Sequence, residues 1–384
     1  MKNYDIRHMK TVLAVAVEIL ASDVHINVGI PPVMRKNTEL ISMQFPIVSD
    51  EDAKEIVLGM VGPERFEKFE KNRDIDFSTT LDSGHRFRVN AHYQRDTIAI
   101  SFRVIPNQIP LIDDLHLPPI AKELISLPRG LVLVTGHTGS GKSTTLAAMI
   151  GAINAKYRKR IITLEDPVEY ALENKVSMIE QREIGFDCPD FASGLRHVLR
   201  QDPDIIMVGE MRDLETTSAT ITAAETGHLV FSTLHTINAS QTVERIIDIY
   251  PPEQQGQIRT MLANTLQAVI SQTLFRRIDK SGMVPCTEIL LCTSAVRNCI
   301  RENRIYEIPN IIETSRRVGM QLMDYSIIDM YSKGHIDKEE AINRSTNPSK
   351  LEKMLASVNE RRSAQNGTPG QDYESLLSSQ RTFK

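Results

Sequence analysis

The spacing of hydrophobic residues changes near the start of the chain. Between Met9 and Ser22, apolar residues recur at Leu13, Val17 and Leu20, which is helical spacing. The runs that follow, up to Phe102, are short and strand-like, namely DVHINV, IDFSTTL, RFRVNAHY and TIAISFRV, with one helix-like stretch at DEDAKEIVLGMV. The pattern predicts an amphipathic first helix and a small α+β domain built on an antiparallel sheet.

Prolines interrupt this pattern at PNQIPLIDDLHLPP, residues 106–119, which we predict to be an interdomain linker. Beyond it, four apolar runs, LVLVTG, RIITLED, DIIMVGE and HLVFSTLH, alternate with helical patterns. Uniformly apolar strands separated by helices are typical of a parallel sheet covered on both faces. Residues 120–360 are therefore predicted to form an α/β domain.

Helical patterns continue in this second domain through QIRTMLANTLQAVISQTLF, SAVRNCIRE and MDYSIIDMYSKG. The last stretch, residues 361–384, is rich in Ser, Gln, Gly and Pro, a composition that cannot bury much apolar surface. We predict that it is a disordered tail.

Composition narrows the class of protein. A chain of 384 residues with 41% hydrophobic residues is long enough for two domains with cores of their own. The net charge of −4 lacks the basic surplus that dominates binding to phosphate backbones, so no nucleic acid partner is expected. The four cysteines show no metal-ligand spacing. Glu18 interrupts the apolar run from Met9, which argues against a secretory leader. No stretch approaches the length of an apolar membrane span.

The first apolar run of the second domain leads into GHTGSGKST, which fits the phosphate-binding pattern G-x-x-x-x-G-K-S. Glycines let successive backbone N–H groups converge on a phosphate, and the helix that follows adds its positive dipole end. Lys142 can reach the β- and γ-phosphates, while the Ser143 hydroxyl can ligate the Mg²⁺ that bridges them. The sequence therefore predicts a site for ATP or GTP formed by Gly136, Thr138, Gly139, Ser140, Gly141, Lys142, Ser143 and Thr144.

A carboxylate follows another of these runs in DPDIIMVGEMRD, where four apolar residues lead into Gly209 and Glu210. Ligands of open α/β sheets bind at the carboxyl ends of the strands, so Glu210 is expected near the phosphate loop. There it could polarise the attacking water or support the magnesium shell. An acidic residue that merely ends a strand is the alternative.

Three carboxylates follow the strand in ITLEDPVEY, which is more than magnesium requires. Glu165 is predicted to point inward, while Asp166 and Glu169 are candidates for solvated or helix-capping groups. Pro167 suits the first turn of a helix, which predicts a helix at this point.

Histidines and arginines provide weaker signals. His228 and His235 flank the strand in TGHLVFSTLHT, where they could sense a γ-phosphate or be ordinary core and surface residues. Arg86 and Arg88 share one face of RFRVN, and Arg103 follows in SFRVIP. By spacing alone these arginines are solvated strand residues, and the sharper hypothesis is that they act as arginine fingers on a neighbour's nucleotide.

Four stretches carry a resemblance to a known family. GHTGSGKST, ITLEDPVEY, DPDIIMVGEMRDLET and AAETGHLVFSTLHT resemble, in this order, the Walker A, Asp box, Walker B and His box motifs of the type II/IV secretion ATPases. Within that family, the motors that retract type IV pili are the most similar. The similarity extends from ASDVHINVGIPPVMR and GHRFRVNAHYQ to AVRNCIREN and GMQLMD, and it leaves only the tail uncovered.

The resemblance implies a PAS-like domain at residues 1–105, a RecA-like ATPase domain with a mainly parallel sheet, and a homohexameric ring with nucleotide between neighbouring subunits. It implies hydrolysis of ATP with Mg²⁺. At matching positions it implies that Glu210 is the catalytic glutamate and Glu165 the Asp-box glutamate. The remaining site residues carried over are His228, His235, Arg88 and Arg103, with Arg86 a weaker match.

The resemblance also implies a place in the cell and partners. The expected place is the cytoplasm, peripheral to the inner membrane at the base of a pilus. The expected partner is the inner-membrane platform protein of a type IV pilus (PilC-like), and a second retraction ATPase is a candidate partner. The expected role is pilus retraction, which gives twitching motility and DNA uptake.

Two departures and several alternatives qualify this expectation. His137 stands where the family usually has proline, which leaves the phosphate contacts intact. Extension motors are longer and carry a four-cysteine zinc site, so its absence favours retraction. The sequence leaves three alternative functions: an accessory retraction motor, a RecA-like nucleic-acid translocase and a nucleotide-gated binding module without turnover. The acidic balance disfavours the translocase, and Glu210 disfavours the binding module.

Overall fold

The computed structural model describes residues 4–36, 39–105, 109–279, 282–345 and 347–365, and the chain folds into two compact units. The first unit comprises Met1–Asp114, Lys122–Val132 and Ser143–Thr233, and the second comprises Leu115–Ala121, Leu133–Lys142 and Leu234–Lys384. These units interleave along the sequence. The domain bounds predicted from the sequence therefore stay a prediction.

The N-terminal part of the first unit alternates short strands with three helices. In chain order its elements are α1 (Ile6–Glu18), β1 (Asp23–Asn27), β2 (Val33–Lys36), β3 (Glu39–Ser42), α2 (Asp50–Val61), α3 (Pro63–Asn72), β4 (Asp74–Thr80), β5 (Arg86–Gln94) and β6 (Thr97–Ile105). The predicted helices and the four predicted strand regions are confirmed. The hydrophobic pattern missed β2, β3 and α3.

Local sequence explains where two of these helices begin. The Asp5 carboxylate accepts hydrogen bonds from the backbone N–H groups of Arg7 and His8 and so caps α1. Ser49 and Asp52 form a reciprocal capping box at the start of α2. The predicted face of α1 was wrong at one position: Leu20 lies beyond the end of the helix and is 83% exposed.

The six strands form one antiparallel sheet in the order β3-β2-β1-β6-β5-β4. Helices α1 and α2 pack their apolar faces on it, and the core between them includes Met9, Leu13, Ile56, Phe87 and Phe102. The predicted antiparallel sheet with helices packed on it is therefore confirmed, while a separate PAS-like domain stays a prediction. Of the predicted linker, the described residues 109–119 contain neither helix nor strand, and residues 106–108 lie outside the described residues.

The rest of the chain is longer and contains both helices and strands. Its elements are α4 (Ile120–Leu124), β7 (Gly130–Thr135), α5 (Lys142–Lys156), β8 (Arg160–Glu165), β9 (Met178–Glu183), α6 (Phe191–Val198), β10 (Ile205–Val208), α7 (Leu214–Glu225), β11 (Leu229–Leu234), α8 (Ala239–Asp248), α9 (Pro252–Thr265), β12 (Leu266–Arg276), β13 (Met283–Leu291), α10 (Ser294–Arg301), α11 (Ile308–Thr314), α12 (Met323–Ser332), α13 (Lys338–Asn343) and α14 (Pro348–Gln365).

Strand β7 is divided between the two units, with residues 130–132 in the first and 133–135 in the second, so the remaining strands are described unit by unit. In the first unit the strand order is β7-β11-β10-β8-β9, and the pairs β11/β10, β10/β8 and β8/β9 are parallel. In the second unit the order is β13-β12-β7, with β12 and β13 antiparallel. The four predicted apolar strands are β7, β8, β10 and β11, so the mainly parallel sheet is confirmed.

Three expectations about the second domain were wrong. The apolar run predicted as one helix, QIRTMLANTLQAVISQTLF, is helical only to Thr265 and then continues as strand β12. Such a run fits either element, and pairing along the whole of β13 decides for the strand. No helix follows Pro167, since the chain passes from β8 to β9 without one. Helix α14 extends to Gln365, past the predicted start of the tail at Arg361, and residues 366–384 lie outside the described residues.

In the part of the chain that the structure describes, no helix is both long enough and apolar enough to cross a membrane.

Candidate nucleotide-binding site

The predicted phosphate loop lies in the second unit, between the buried strand β7 and the first residue of helix α5. Its glycines Gly139 and Gly141 have φ angles of +77° and +85°, a conformation that side chains rarely adopt. His137, Thr138 and Gly139 are exposed, whereas Ser140 and Lys142 are buried. The loop thus has the conformation and the exposed apex that a phosphate cradle requires.

Lys142 bends back over this loop. Its Nζ donates hydrogen bonds to the carbonyl oxygens of Gly136, at 2.8 Å, and of His137, at 3.0 Å. The His137 carbonyl also accepts from the backbone N–H of Ser140, so histidine serves in place of proline without loss of the turn. A cationic donor is therefore held over the loop, where it fits an anionic phosphate ligand.

The helix after the loop connects to the acidic strand β8 within the first unit. The Thr144 hydroxyl lies 2.9 Å from the hydroxyl of Tyr170, and Ser143 beside it is partly buried. The Tyr170 carbonyl accepts a hydrogen bond from the Gln181 side chain, which also donates to Glu165. The side chains that follow the loop are thus linked by hydrogen bonds to a buried carboxylate.

Glu165 is the inward-pointing carboxylate that the sequence predicts. It is 8% exposed, and its Oε1 accepts hydrogen bonds from Thr163 Oγ1 at 2.6 Å and from Gln181 Nε2 at 2.9 Å. Burial raises the pKa of Glu165 above its ordinary value, and the two hydrogen bonds oppose that change. Its catalytic role stays a prediction.

Glu210 follows β10 at the same edge of the sheet. The backbone N–H of Gly209 donates to the carbonyl of Leu164 at 2.8 Å, which holds the ends of β10 and β8 together. A Cβ at position 209 would lie 3.2 Å from that carbonyl oxygen, and this close approach explains why glycine stands there. The Glu210 carboxylate lies beyond this contact and forms an ion pair with Arg212 at 2.6 Å.

Asp166 is a candidate site residue that the sequence reasoning did not single out. Burial and the nearby Glu210 carboxylate raise its pKa, while the positive charge of Arg88 acts in the opposite direction. Asp166, Glu210 and Arg88 are therefore close enough to interact electrostatically. The run of three carboxylates in ITLEDPVEY was a signal for it, but sequence could not decide which of them approaches Glu210.

The N-terminal arginines differ in their surroundings. Arg88 on β5 is paired in register with Arg103 on β6, and both side chains are exposed. Arg103 forms an ion pair with Asp23 at 2.9 Å while 74% of its side chain stays exposed. Arg86 is instead held in an ion pair with the buried Glu183 of β9. Two of the three arginines are thus accessible, and Arg86 is engaged within its own chain.

The two histidines lie at opposite ends of β11. His235 is exposed directly after the carboxyl end, which is the edge that carries Glu165 and Glu210 in the neighbouring strands. His228 precedes the amino end and lies 2.9 Å from the carbonyl of Ala223. The structure brings His235 to the edge predicted for the nucleotide and places His228 at the other edge. Their roles stay predictions.

Among the described residues, no group of three or more His, Cys, Asp or Glu side chains is arranged to hold a metal ion. This does not conflict with the predicted magnesium, because Mg²⁺ at nucleotide sites is bound through few protein ligands together with the phosphates. Ser143 stays the predicted protein ligand.

Comparison with known proteins gives consistent results for family and fold. Residues 113–359 match the family model described as type II/IV secretion system protein. The type IV pilus retraction ATPase PilT of Pseudomonas aeruginosa is 41% identical over 328 residues, which cover 85% of this chain and 95% of that protein. The type IV pilus ATPase PilU of the same organism is 37% identical over 343 residues, or 89% and 90% of the two chains.

A solved structure has the same fold. The crystal structure of the pilus retraction motor PilT with bound ADP matches this chain with a TM-score of 0.83 at 41% identity. The match covers 90% of this chain and 99% of the other.

Proposed function

Because this chain belongs to the type II/IV secretion system protein family and is an ATPase, we propose that it is a hexameric motor that powers the retraction of a type IV pilus. Retraction would give twitching motility and could serve DNA uptake. The similarity to the retraction ATPase PilT over most of both chains supports this proposal.

The phosphate loop would bind the nucleotide in this motor. Backbone N–H groups from Gly139 to Thr144, together with the Lys142 ammonium, would hold the β- and γ-phosphates. The hydroxyl of Ser143 would hold Mg²⁺, which neutralises charge on the phosphates when bound. The observation that carries the proposal is the position of Lys142, whose Nζ lies over the loop between two backbone carbonyls.

The edge of the sheet that carries Glu165, Asp166 and Glu210 would supply the catalytic base. Glu210 would polarise the attacking water, because it follows a buried strand at the carboxyl edge of the sheet and its side chain is 15% exposed. Glu165 would fix the position of this edge through Thr163 and Gln181, and Asp166 would add to its negative field. His235 would lie at the same edge of the sheet as Glu210, whereas His228 would lie at the opposite edge.

The accessible arginines suit a ring of subunits. Arg88 and Arg103 lie side by side and point away from the core of their own sheet, so they are available to the nucleotide of a neighbouring subunit in a homohexamer. We place the ring in the cytoplasm, at the inner-membrane base of the pilus. A PilC-like platform protein and a second retraction ATPase are the partners in this proposal.

A PilU-like accessory retraction ATPase is the second candidate, since PilU is 37% identical over most of both chains. The higher identity to PilT favours the main motor. Stimulation of ATP hydrolysis by polynucleotides would instead favour a translocase.

Deletion of the gene tests the function. Cells without a retraction motor should carry an excess of surface pili and should not twitch, and the wild-type gene should restore motility whereas Lys142→Ala should not. Deletion cells without surface pili would contradict a role in retraction and indicate an extension motor. Normal piliation and normal twitching would contradict the role of main motor and favour the accessory role.

A further inference from the structure

Gln272 contacts the phosphate loop from strand β12, which no motif in the sequence connects with nucleotide binding. Its side chain is buried, with 3% of the residue exposed. Its Nε2 donates a hydrogen bond of 2.6 Å to the carbonyl oxygen of Ser140, a residue 132 positions away in the chain. Both residues belong to the second unit.

Two glycines of the loop lie against Gln272, one against its backbone and one against its side chain. A Cβ at Gly141 would lie 2.7 Å from Gln272 Nε2, and a Cβ at Gly136 would overlap the backbone oxygen of Gln272. The loop therefore packs against Gln272 at its first glycine, at Ser140 and at its last glycine. Neither glycine can gain a side chain without displacing Gln272 or the loop.

Strand β12 is itself fixed against the start of the loop. Thr135 Oγ1 donates to Ser271 Oγ at 2.9 Å, and both side chains are fully buried. The residue next to Gln272 in the strand is thus hydrogen-bonded to the residue that precedes the loop.

The hydrogen bond to Ser140 orients one peptide group. Because a trans peptide is planar, its carbonyl and its N–H point in opposite directions. When Gln272 holds the Ser140 carbonyl, the N–H of Gly141 in the same peptide is directed away from β12. An N–H at that position of a phosphate loop is a donor to phosphate.

We propose that Gln272 is a positioning residue for nucleotide binding, which holds the Ser140–Gly141 peptide with its N–H directed at the phosphates. The inference rests on the proposed assignment of residues 136–144 as the ATP site. It predicts that the affinity for ADP and ATP depends on a side-chain donor outside the Walker A motif.

Gln272→Met tests this, because methionine has a similar volume but no hydrogen-bond donor. We expect ADP to bind about tenfold more weakly, the scale of one buried hydrogen bond, and KM for ATP to change more than kcat. The matched control is Gln321→Met, since Gln321 Nε2 donates to the Thr287 carbonyl in the same unit. This control should lower thermal stability without changing the Kd for ADP.

A second variant covers the case in which Gln272→Met does not fold. Gln272→Leu has a similar size and also lacks a hydrogen-bond donor, so it should weaken ADP binding about as much. Wild-type affinity in either folded variant would overturn the proposal, and so would the failure of both to fold, which would indicate a structural role. Lys142→Ala distinguishes an error in the assignment of the loop as the ATP site from an error in the role of Gln272. ADP binding that survives Lys142→Ala would refute the loop assignment itself. Loss of binding in Lys142→Ala with normal binding in Gln272→Met would refute only the role of Gln272.

Discussion

At the scale of single residues, three carboxylates at one edge of the sheet differ in environment. Glu165 is buried and accepts two side-chain hydrogen bonds, which suits a residue that fixes geometry. Glu210 is paired with Arg212 and lies beyond the last residue of β10. Asp166 is affected by the charges of both Glu210 and Arg88. These differences support the proposal that Glu210 acts on water and that Glu165 and Asp166 shape its surroundings.

The raised pKa of Glu165 predicts a pH dependence of stability. Above pH 4.5, its ordinary pKa, the unfolded chain loses this proton while the folded protein retains it. The wild-type protein should thus lose stability relative to Glu165→Gln as the pH rises from about 4.5 through the raised pKa, and the difference should level off above it. Chemical denaturation of both proteins between about pH 4 and pH 8 measures this. A difference in the free energy of unfolding that does not vary with pH would contradict it.

The sequence identifies candidate site residues more readily than it predicts which other residues surround them. The spacing of Gly136, Gly141 and Lys142 is sufficient to predict a phosphate loop, because the residues of such a loop are contiguous. Gln272 could not be found in this way, since its contact with Ser140 joins two distant parts of the chain. Asp166 was visible as a carboxylate, but only the pairing of β8 with β10 shows that it lies near enough to Glu210 for their charges to interact.

At the scale of elements, the structure departs from the sequence pattern where tertiary pairing decides. The four predicted parallel strands are nearly continuous apolar runs and were correctly predicted. Strand β12 has the same apolar character but follows helix α9 without a break, so its start at Leu266 had no local signal. The distinction matters for function, because β12 is the element that carries Gln272.

The contact between strands β5 and β9 predicts different roles for two arginines on the same face of β5. Arg86 pairs with Glu183, whose side chain is 5% exposed and also accepts from Ser78. Arg86→Ala would leave this carboxylate buried without its cation, so we expect a loss of about 3–5 kcal/mol in the free energy of unfolding. Urea denaturation measures it.

Arg88→Ala is the matched control and should give the opposite result. Arg88 is exposed, so its loss should leave stability nearly unchanged, while ATP turnover should fall by about 10³-fold with nucleotide still bound. Equal stability of the two variants would contradict the buried ion pair. Normal turnover of Arg88→Ala would show that Arg88 is an ordinary strand residue.

At the scale of the whole molecule, the motifs and the fold identify a secretion-family ATPase, and the motor function follows as a proposal. The order of four motifs along the chain was sufficient to indicate the family, which the match over residues 113–359 then established. The interleaving of the two units along the sequence was not predictable, because one division falls inside β7, which is a single apolar run. The proposed assembly into a ring would likewise depend on surfaces that a hydrophobic pattern does not reveal.

We propose that hydrolysis of ATP at Glu210 drives pilus retraction. The most direct test of this proposal is live imaging of labelled pili in cells whose chromosomal gene carries Glu210→Gln, with Glu215→Gln as the matched control on the exposed start of α7. Removal of the charge that polarises water should lower ATP turnover about 10²- to 10⁴-fold. Pili should therefore extend and fail to retract in the Glu210→Gln cells, while Glu215→Gln cells retract normally. Retraction at the wild-type frequency in Glu210→Gln cells, or the absence of pili from them, would contradict the account.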